Sequence, residues 1–260
     1  MPLHWHCHEL FHRMPPGAVA GGIAVVIDVL RASTTIATAL AHGATRVRPV
    51  PGIDEARSVA AALGSGGLLG GERGGVRIAG FDLGNSPLEY TCDRIAGRPL
   101  VITTTNGTAA LAACRSAREV LVGAVVNATA VAVAVRHLAA ATGATDAHLV
   151  CAGTDGSSSG EDLLGAGAIL AAAAAAGSDD VLDDTARAAR VEFDRVLAAA
   201  DPRGTLVAEF RRAPGGANLV ALGMEADLVA CAARDSIGAV PRLEPATGWL
   251  VEMVPAGESG

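Results

Sequence analysis

The densest potential chemistry in the sequence lies in Gly71-Glu72-Arg73-Gly74-Gly75 and Gly80-Phe81-Asp82-Leu83-Gly84-Asn85-Ser86-Pro87. Glycines clustered this way let backbone approach a ligand closely. Between them, Glu72, Asp82 and Asn85 offer hard oxygens of the kind that hold divalent cations. Arg73 is a planar fork suited to phosphate or carboxylate, and Ser86 adds a hydroxyl. A Gly-rich turn with ordinary surface charges is the plainer reading, but the length and polar density of the segment favour a ligand-facing role.

Three further clusters have the same character. Asp28-Val29-Leu30-Arg31 ends an apolar run, and Ser33, Thr34 and Thr35 follow at a helix start. An aspartate there can ligate a cation or attack phosphorus, or it can simply cap the helix. The second acid that haloacid-dehalogenase-type phosphatases place two residues later is Leu30 here, which argues against that mechanism. Thr103-Thr104-Thr105-Asn106-Gly107-Thr108 offers hydroxyls and amides for an anion without positive side chains, and it also suits a capped turn. Cys151-Ala152-Gly153-Thr154 precedes Glu161 and Asp162, which open another helix; position 157 is serine, so the arginine of a cysteine-phosphatase loop is missing. His4, His6, His8 and His12 with Cys7 suggest zinc only superficially, since no matching second pair stands at zinc spacing.

The elements that must position these groups follow from hydrophobic pattern. Ile23–Ile27 reads as a buried parallel strand, followed by a helix from Ser33 to His42. The pattern repeats: strand 47–50, helix 54–63, strand candidates 68–69 and 76–81, strand 100–103, helix 108–114, strand 120–122, helix 128–141, strand 148–152, helix 161–176. Residues 25–33 and 100–108 share one layout, strand, small polar turn, then a hydroxyl at a helix start, which suits either a duplication or two similar units. Ser178 is expected to cap a helix with Asp183–Arg187 and Arg190–Asp194 pairs on its outer face, ended by Pro202. Residues 217–233 hold two short helices. The alternation predicts an α/β fold, a largely parallel or mixed sheet flanked by helices, with a helical C-terminal third. The chain is expected to form a single unit over residues 1–242, or two lobes, 1–145 and 146–242, with a tail from 243 to 260. Ligands in such folds sit beyond the carboxyl ends of strands, where Asp28, Thr103–Asn106 and Cys151–Thr154 fall.

Composition narrows the function. A net charge of -7 argues against a general nucleic-acid or membrane-surface binder. All 20 basic residues are arginine. Lysine Schiff-base and P-loop chemistry are therefore excluded, and anion recognition must use arginine, hydroxyls or amides. Five scattered cysteines, an odd number without a Cys-x-x-Cys pair, point to free thiols in a reducing cytoplasm. No signal peptide is visible, and the longest uncharged apolar run, 163–177, is too short to span a bilayer. No Gly-x-Gly-x-x-Gly joins a strand to a helix, which removes the dinucleotide-binding reading.

Taken together, the motifs resemble the 2-phosphosulfolactate phosphatase family, magnesium-dependent phosphatases of coenzyme M biosynthesis. The residues that carry the resemblance are Val26-Ile27-Asp28-Val29-Leu30-Arg31-Ala32-Ser33-Thr34, both glycine segments from Gly71 to Pro87, Thr103 to Thr108 and Val150-Cys151-Ala152-Gly153-Thr154, in family order, within residues 22–242. The resemblance implies hydrolysis of 2-phospho-3-sulfolactate, and of other 2-phospho-2-hydroxycarboxylates, with Mg²⁺. Asp28, Glu72 and Asp82 are then expected to hold the metal. Arg31, Ser33, Thr34, Arg73, Asn85, Ser86, Thr104, Thr105, Asn106, Gly107, Thr108, Gly153 and Thr154 are expected to hold the anionic arms, and Glu161 or Asp162 to orient the attacking water. The partner is a small phosphorylated hydroxy acid, not nucleic acid or membrane; a homo-oligomer stays open. The competing expectation is a binding protein that keeps this fold for an anionic metabolite without turnover.

Overall fold

The computed structural model describes residues 2–175 and 179–253. β1 (His4–His8) opens the chain. A first unit then runs β2 (Ile23–Ile27), α1 (Ala32–Ala41), β3 (Arg46–Pro49), α2 (Ile53–Ala62) and β4 (Leu68–Arg73), closed by β5 (Val76–Arg77). After the one-turn α3 (Cys92–Ile95), a second unit repeats the pattern: β6 (Pro99–Thr103), α4 (Gly107–Ala113), β7 (Glu119–Gly123), α5 (Ala128–Thr142) and β8 (Asp146–Cys151). Then come α6 (Gly160–Ala175), β9 (Val181–Leu182), α7 (Asp184–Leu197), α8 (Pro202–Arg212), α9 (Pro214–Ala221), α10 (Glu225–Cys231) and the strands β10 (Pro241–Leu243) and β11 (Leu250–Glu252).

The strands form one mixed sheet in the order β5-β4-β6-β3-β11-β10-β7-β2-β8-β1-β9. Parallel blocks on either side flank the antiparallel β10–β11 pair. Each unit gives its first strand to the other: β2 lies between β7 and β8, and β6 between β3 and β4. Around the central pair the order is palindromic, β4-β6-β3-β11 against β8-β2-β7-β10. The echo between residues 25–33 and 100–108 thus occupies equivalent places in the sheet.

β2 shows why its sequence is apolar throughout. Ile23, Val25 and Ile27 face the core shared with Val131, Val135 and Ile169 of α5 and α6. Ala24 and Val26 face the opposite core with Ile36 of α1 and Leu111 of α4. A strand covered on both sides has no place for alternation. α1 is itself buried from Ala32 to Leu40, so its Thr-rich sequence serves packing and internal hydrogen bonds rather than solvent. The stretch Val125–Thr142 has the length and hydropathy of a membrane span, yet just over half of it is buried against the rest of the chain.

The C-terminal third departs from expectation in three places. Ser178 lies outside the described residues, and the helix expected there begins at Asp184, with Asp183 Oδ1 accepting from Ala186 N at 2.7 Å. With Asp183 used as the cap, Arg187 pairs with Asp184 at 3.0 Å, while Arg190–Asp194 forms as expected at 2.9 Å. Pro202 does not merely stop a helix; it starts α8 as its first residue, capped by Asp201, because proline's missing N–H costs nothing there. The segment read as a tail from 243 carries β11, which pairs with β3 and β10 in the middle of the sheet. Three-residue strands in a Pro/Gly-rich sequence have too little periodicity to be read. The sheet also runs unbroken past residue 145, since β8 pairs with both β2 and β1. β1 buries Trp5 and Cys7 and sets His4, His6 and His8 at alternate positions of one strand, where His6 and His8 stack on His148 with ring centroids at 4.8 and 5.4 Å.

A chain ended at Arg242 leaves β3 and β10 with open edges in mid-sheet. Such a chain is expected to show no cooperative thermal transition by near-UV circular dichroism; a sharp transition would mean that β11 is dispensable.

Candidate active site

A cleft of about 440 Å³ opens where the loops after β2, β4, β6 and β8 meet. Asp28, Leu30 and Arg31 follow β2; Glu72, Gly74 and Gly75 come from the β4–β5 turn; Thr105 and Asn106 precede α4; Thr154 and Asp155 follow β8; Asn85 joins them from the second glycine segment. The remaining wall is α9 and its end, with Gly215, Asn218, Leu219 and Leu222. The four clusters singled out in the sequence therefore converge on one place.

Asp28 is held from both sides of its own turn. Its N–H donates to Ser33 Oγ at 2.9 Å, and its Oδ1 accepts from Ala32 N at 3.1 Å. Ser33 and Thr34 do not reach the cleft as substrate ligands. Ser33 Oγ donates to Val26 O at 3.2 Å and Thr34 Oγ1 to Val29 O at 2.9 Å, so both hold the turn. The peptide between Leu30 and Arg31 is cis. Gly107 brings the second unit against the first: a Cβ there would lie 2.6 Å from Asp28 Oδ2 and 2.7 Å from Ala32 Cβ. Only glycine permits that approach, and this is the role of Gly107, rather than binding substrate. Thr104 and Thr108 clasp each other, Thr108 Oγ1 donating to Thr104 O at 2.9 Å, and so also shape the turn from within.

Glu72 is buried, and its carboxylate organises two loops. Oε1 accepts from Thr105 N at 2.8 Å and Thr105 Oγ1 at 3.0 Å; Oε2 accepts from Gly75 N at 2.7 Å. Arg73 turns the other way. It donates to Glu72 O, Pro51 O and Thr103 Oγ1 and does not line the cleft, because side chains alternate along β4 and Glu72 takes the inward position. Asp82 is likewise absent from the cleft. It is exposed, and its Oδ2 accepts from Leu69 N at 2.8 Å, tying the second glycine segment to the β4 edge. Asp82 and Arg73, expected as metal ligand and anion clamp, both lie outside the lining of this cleft.

Arg31 is buried with a partner that the sequence did not reveal. Its Nη1 donates to Asp227 Oδ2 of α10 at 2.7 Å and its Nη2 to Gly75 O at 2.7 Å. Ser86 Oγ donates to the other oxygen of Asp227 at 2.6 Å, so Ser86 braces the pair rather than the ligand. A buried arginine at a strand end signals that some carboxylate must meet it. Nothing local marks Asp227, or Gly215 and Asn218 of α9, as the residues that arrive from the C-terminal third.

Glu161 and Asp162, adjacent in sequence, take different roles. Asp162 Oδ1 accepts from Val29 N at 2.8 Å and Oδ2 from Gly153 N at 2.9 Å, which uses both oxygens and makes Gly153 a holder of Asp162. Glu161 is buried, and its Oε2 has no hydrogen-bond partner. Its other oxygen faces Gly215, where a side chain would collide with it. Burial pushes Asp28 up to about 8, with the charges of Asp162 and Glu72 adding and Arg31 opposing. Burial, reinforced by Asp28, raises Glu161 to about 7; burial and Glu161 raise Asp162 to about 7. Negative charge thus outweighs positive here, since Arg31 is already paired.

These residues fit a divalent cation. Mg²⁺ keeps several waters and takes only one or two protein carboxylates beside a substrate phosphate. Among the described residues no three His, Cys, Asp or Glu side chains are grouped closely enough to hold a metal by themselves. Asn85 Oδ1 and Glu161 Oε2, both buried and without hydrogen-bond partners, are oxygens that such a hydrated ion would satisfy.

Two outcomes follow from this geometry. Asp227→Ala leaves Arg31 buried and unpaired, which costs about 3–5 kcal/mol in urea denaturation; a loss below about 1 kcal/mol would mean that the pair contributes little. Glu161 is raised in the folded chain, so the native state retains a proton that the unfolded state releases, and its contribution falls as pH rises from its ordinary 4.5 toward about 7. In EDTA, Glu161→Gln is therefore expected to gain about 2 kcal/mol on wild type between pH 5 and pH 8. A pH-independent difference would contradict the raised value.

The profile of the family described as 2-phosphosulpholactate phosphatase matches residues 10–245. A probable 2-phosphosulfolactate phosphatase of Gloeobacter violaceus is 40% identical over 230 residues, covering 88% of this chain and 91% of its own. Proteins of the same description from Symbiobacterium thermophilum and Deinococcus radiodurans are 42% and 41% identical, over 87% and 90% of this chain and 93% and 91% of theirs. The match spans both units of the sheet and every loop of the cleft, and the chain belongs to the 2-phosphosulfolactate phosphatase family.

Proposed function

We propose that this chain, a phosphoric monoester hydrolase by its family, hydrolyses 2-phospho-3-sulfolactate to 3-sulfolactate and phosphate in this cleft, with Mg²⁺ bound by Asp28 and Glu72. The observation that carries the reading is the charge balance. A substrate with phosphate, sulfonate and carboxylate on three carbons cannot enter a site of four buried carboxylates whose one arginine is already ion-paired, unless a cation enters with it. When bound, Mg²⁺ supplies neutralisation of the phosphoryl oxygens and positioning of the ester.

The chain's own groups do the rest. Asn106, Asn85 and Asn218 offer polar contacts to the anionic arms. Glu161 Oε2, free of other hydrogen bonds and with its pKa near neutrality, orients the attacking water and takes its proton. Asp162 is unsuited to that task because both its oxygens are engaged; it fixes the loops that present Glu161 and Asp28. Water, not Asp28, is the nucleophile in this reading, since Leu30 stands where an aspartyl-phosphate mechanism needs its second acid. Phosphate monoesters require ~20 kcal/mol or more of barrier lowering, most of it electrostatic.

The test is phosphate release from 2-phosphosulfolactate, 2-phospholactate and phosphoglycolate, with and without EDTA. Release that EDTA stops and Mg²⁺ restores is expected. Glu161→Gln is expected to lower kcat by about 10²–10⁴-fold, and Asp28→Asn to abolish the Mg²⁺ response, while Asp82→Asn keeps nearly full activity. No release from any of the three esters would leave a binding protein on the same fold.

A further inference from the structure

A second cavity, of about 260 Å³, lies at the other end of α4 from the cleft. Arg48 of β3 and Arg115 and Arg118 of the α4–β7 loop give its charge; Thr247 and Gly248, between β10 and β11, form the facing wall. Asn106, at the start of α4, lines the catalytic cleft, and Arg115 lies just past its end, so about 10 Å of helix separates the two cavities.

What sets these three arginines apart is that they line one cavity with no carboxylate among its lining residues. Arg242 holds Glu119 with two hydrogen bonds at 2.7 and 2.8 Å, and Arg31 holds Asp227. Among the described residues, neither Arg48, Arg115 nor Arg118 forms an ion pair. Arg48 Nε is fully buried and has no hydrogen-bond partner. The backbone of Gly248 presses on the same guanidinium, where a Cβ would come within 2.8 Å of Cζ. Arg118 donates from Nη1 to Thr142 O at 2.7 Å and keeps its other donors. The carboxylates next to this region are used elsewhere: Glu119 by Arg242, and Glu244 by the Thr247 hydroxyl at 2.8 Å.

Three arginines gathered on one small space without a carboxylate among its lining residues make it electropositive, which an anion relieves. Their forks match the oxygens of phosphate or sulfonate, and the cavity is below the size of a typical drug-sized pocket, which selects a compact ligand. We propose that the Arg48–Arg115–Arg118 cavity is a second anion-binding site, separate from the catalytic cleft, that takes a tetrahedral oxyanion without a metal.

The experiment is equilibrium dialysis of the full chain against radiolabelled orthophosphate in EDTA with excess chloride. Withholding Mg²⁺ silences the cleft as read above, so the result does not depend on the catalytic assignment. One phosphate per chain is expected, with affinity falling at least ~10-fold in Arg48→Gln and in Arg115→Gln. Arg115 is exposed, so its variant keeps the fold, which unchanged circular dichroism verifies. No saturable binding in EDTA, or binding equal in wild type and both variants, would overturn the proposal.

Discussion

Asp162 accepts hydrogen bonds from Val29 N and Gly153 N and thereby ties the end of β2 to the end of β8 through a buried carboxylate with no cation beside it. Burial, with the charge of Asp162 adding, holds Asp28 well above the usual carboxylate range. Glu161 comes directly before Asp162 in the chain and lies buried against Gly215 of the cleft wall. The loops cannot relax away from this repulsion, because each acid also anchors backbone: Asp28 the start of α1, Glu72 the turns at Gly75 and Thr105, Asp162 the two strand ends. The fold thus holds these acids close together at the ends of the strands, where burial and mutual repulsion raise their affinity for protons.

The exchange of first strands between the two units explains how residues from distant parts of the chain reach one cleft. A simple doubly wound sheet would set the ends of β2 and β6 apart along a single edge. Here α1 and α4 instead cross between the blocks, and Gly107 packs directly on Asp28. Any side chain at Gly107 would part the two units at the site itself. The β10–β11 pair sits on the central line of the palindrome, so the last described strands close the sheet rather than trail from it.

The C-terminal third reads as scaffold, yet it finishes the cleft. Asp227 neutralises Arg31, Ser86 locks that pair, and α9 roofs Glu161 through Gly215. The arginine is thus a structural cation whose donors are already committed, to Asp227 and to Gly75 O. Among the polar side chains that line the cleft without such commitments are the neutral Asn85, Asn106 and Asn218.

The sequence by itself determined the strand–helix alternation, the apolar β2, and the four clusters around Asp28, Glu72, Thr105 and Thr154 that meet in the cleft. These signals are local: a strand buried on both faces, glycine density, hydroxyls at a helix start. Which way each polar residue points was not local. Glu72 and Arg73 are neighbours on one strand and face opposite sides; Glu161 and Asp162 are neighbours on one helix, and only one keeps an unpartnered oxygen. Asp82 and Asp28 look alike as candidate ligands and each accepts a backbone N–H, but Asp28 is buried at the cleft and Asp82 is exposed outside it. The tertiary structure alone decided that Asp227 meets Arg31 and that residues beyond 243 enter mid-sheet, because long-range pairing depends on shape and partner burial, which a stretch of sequence does not encode within itself.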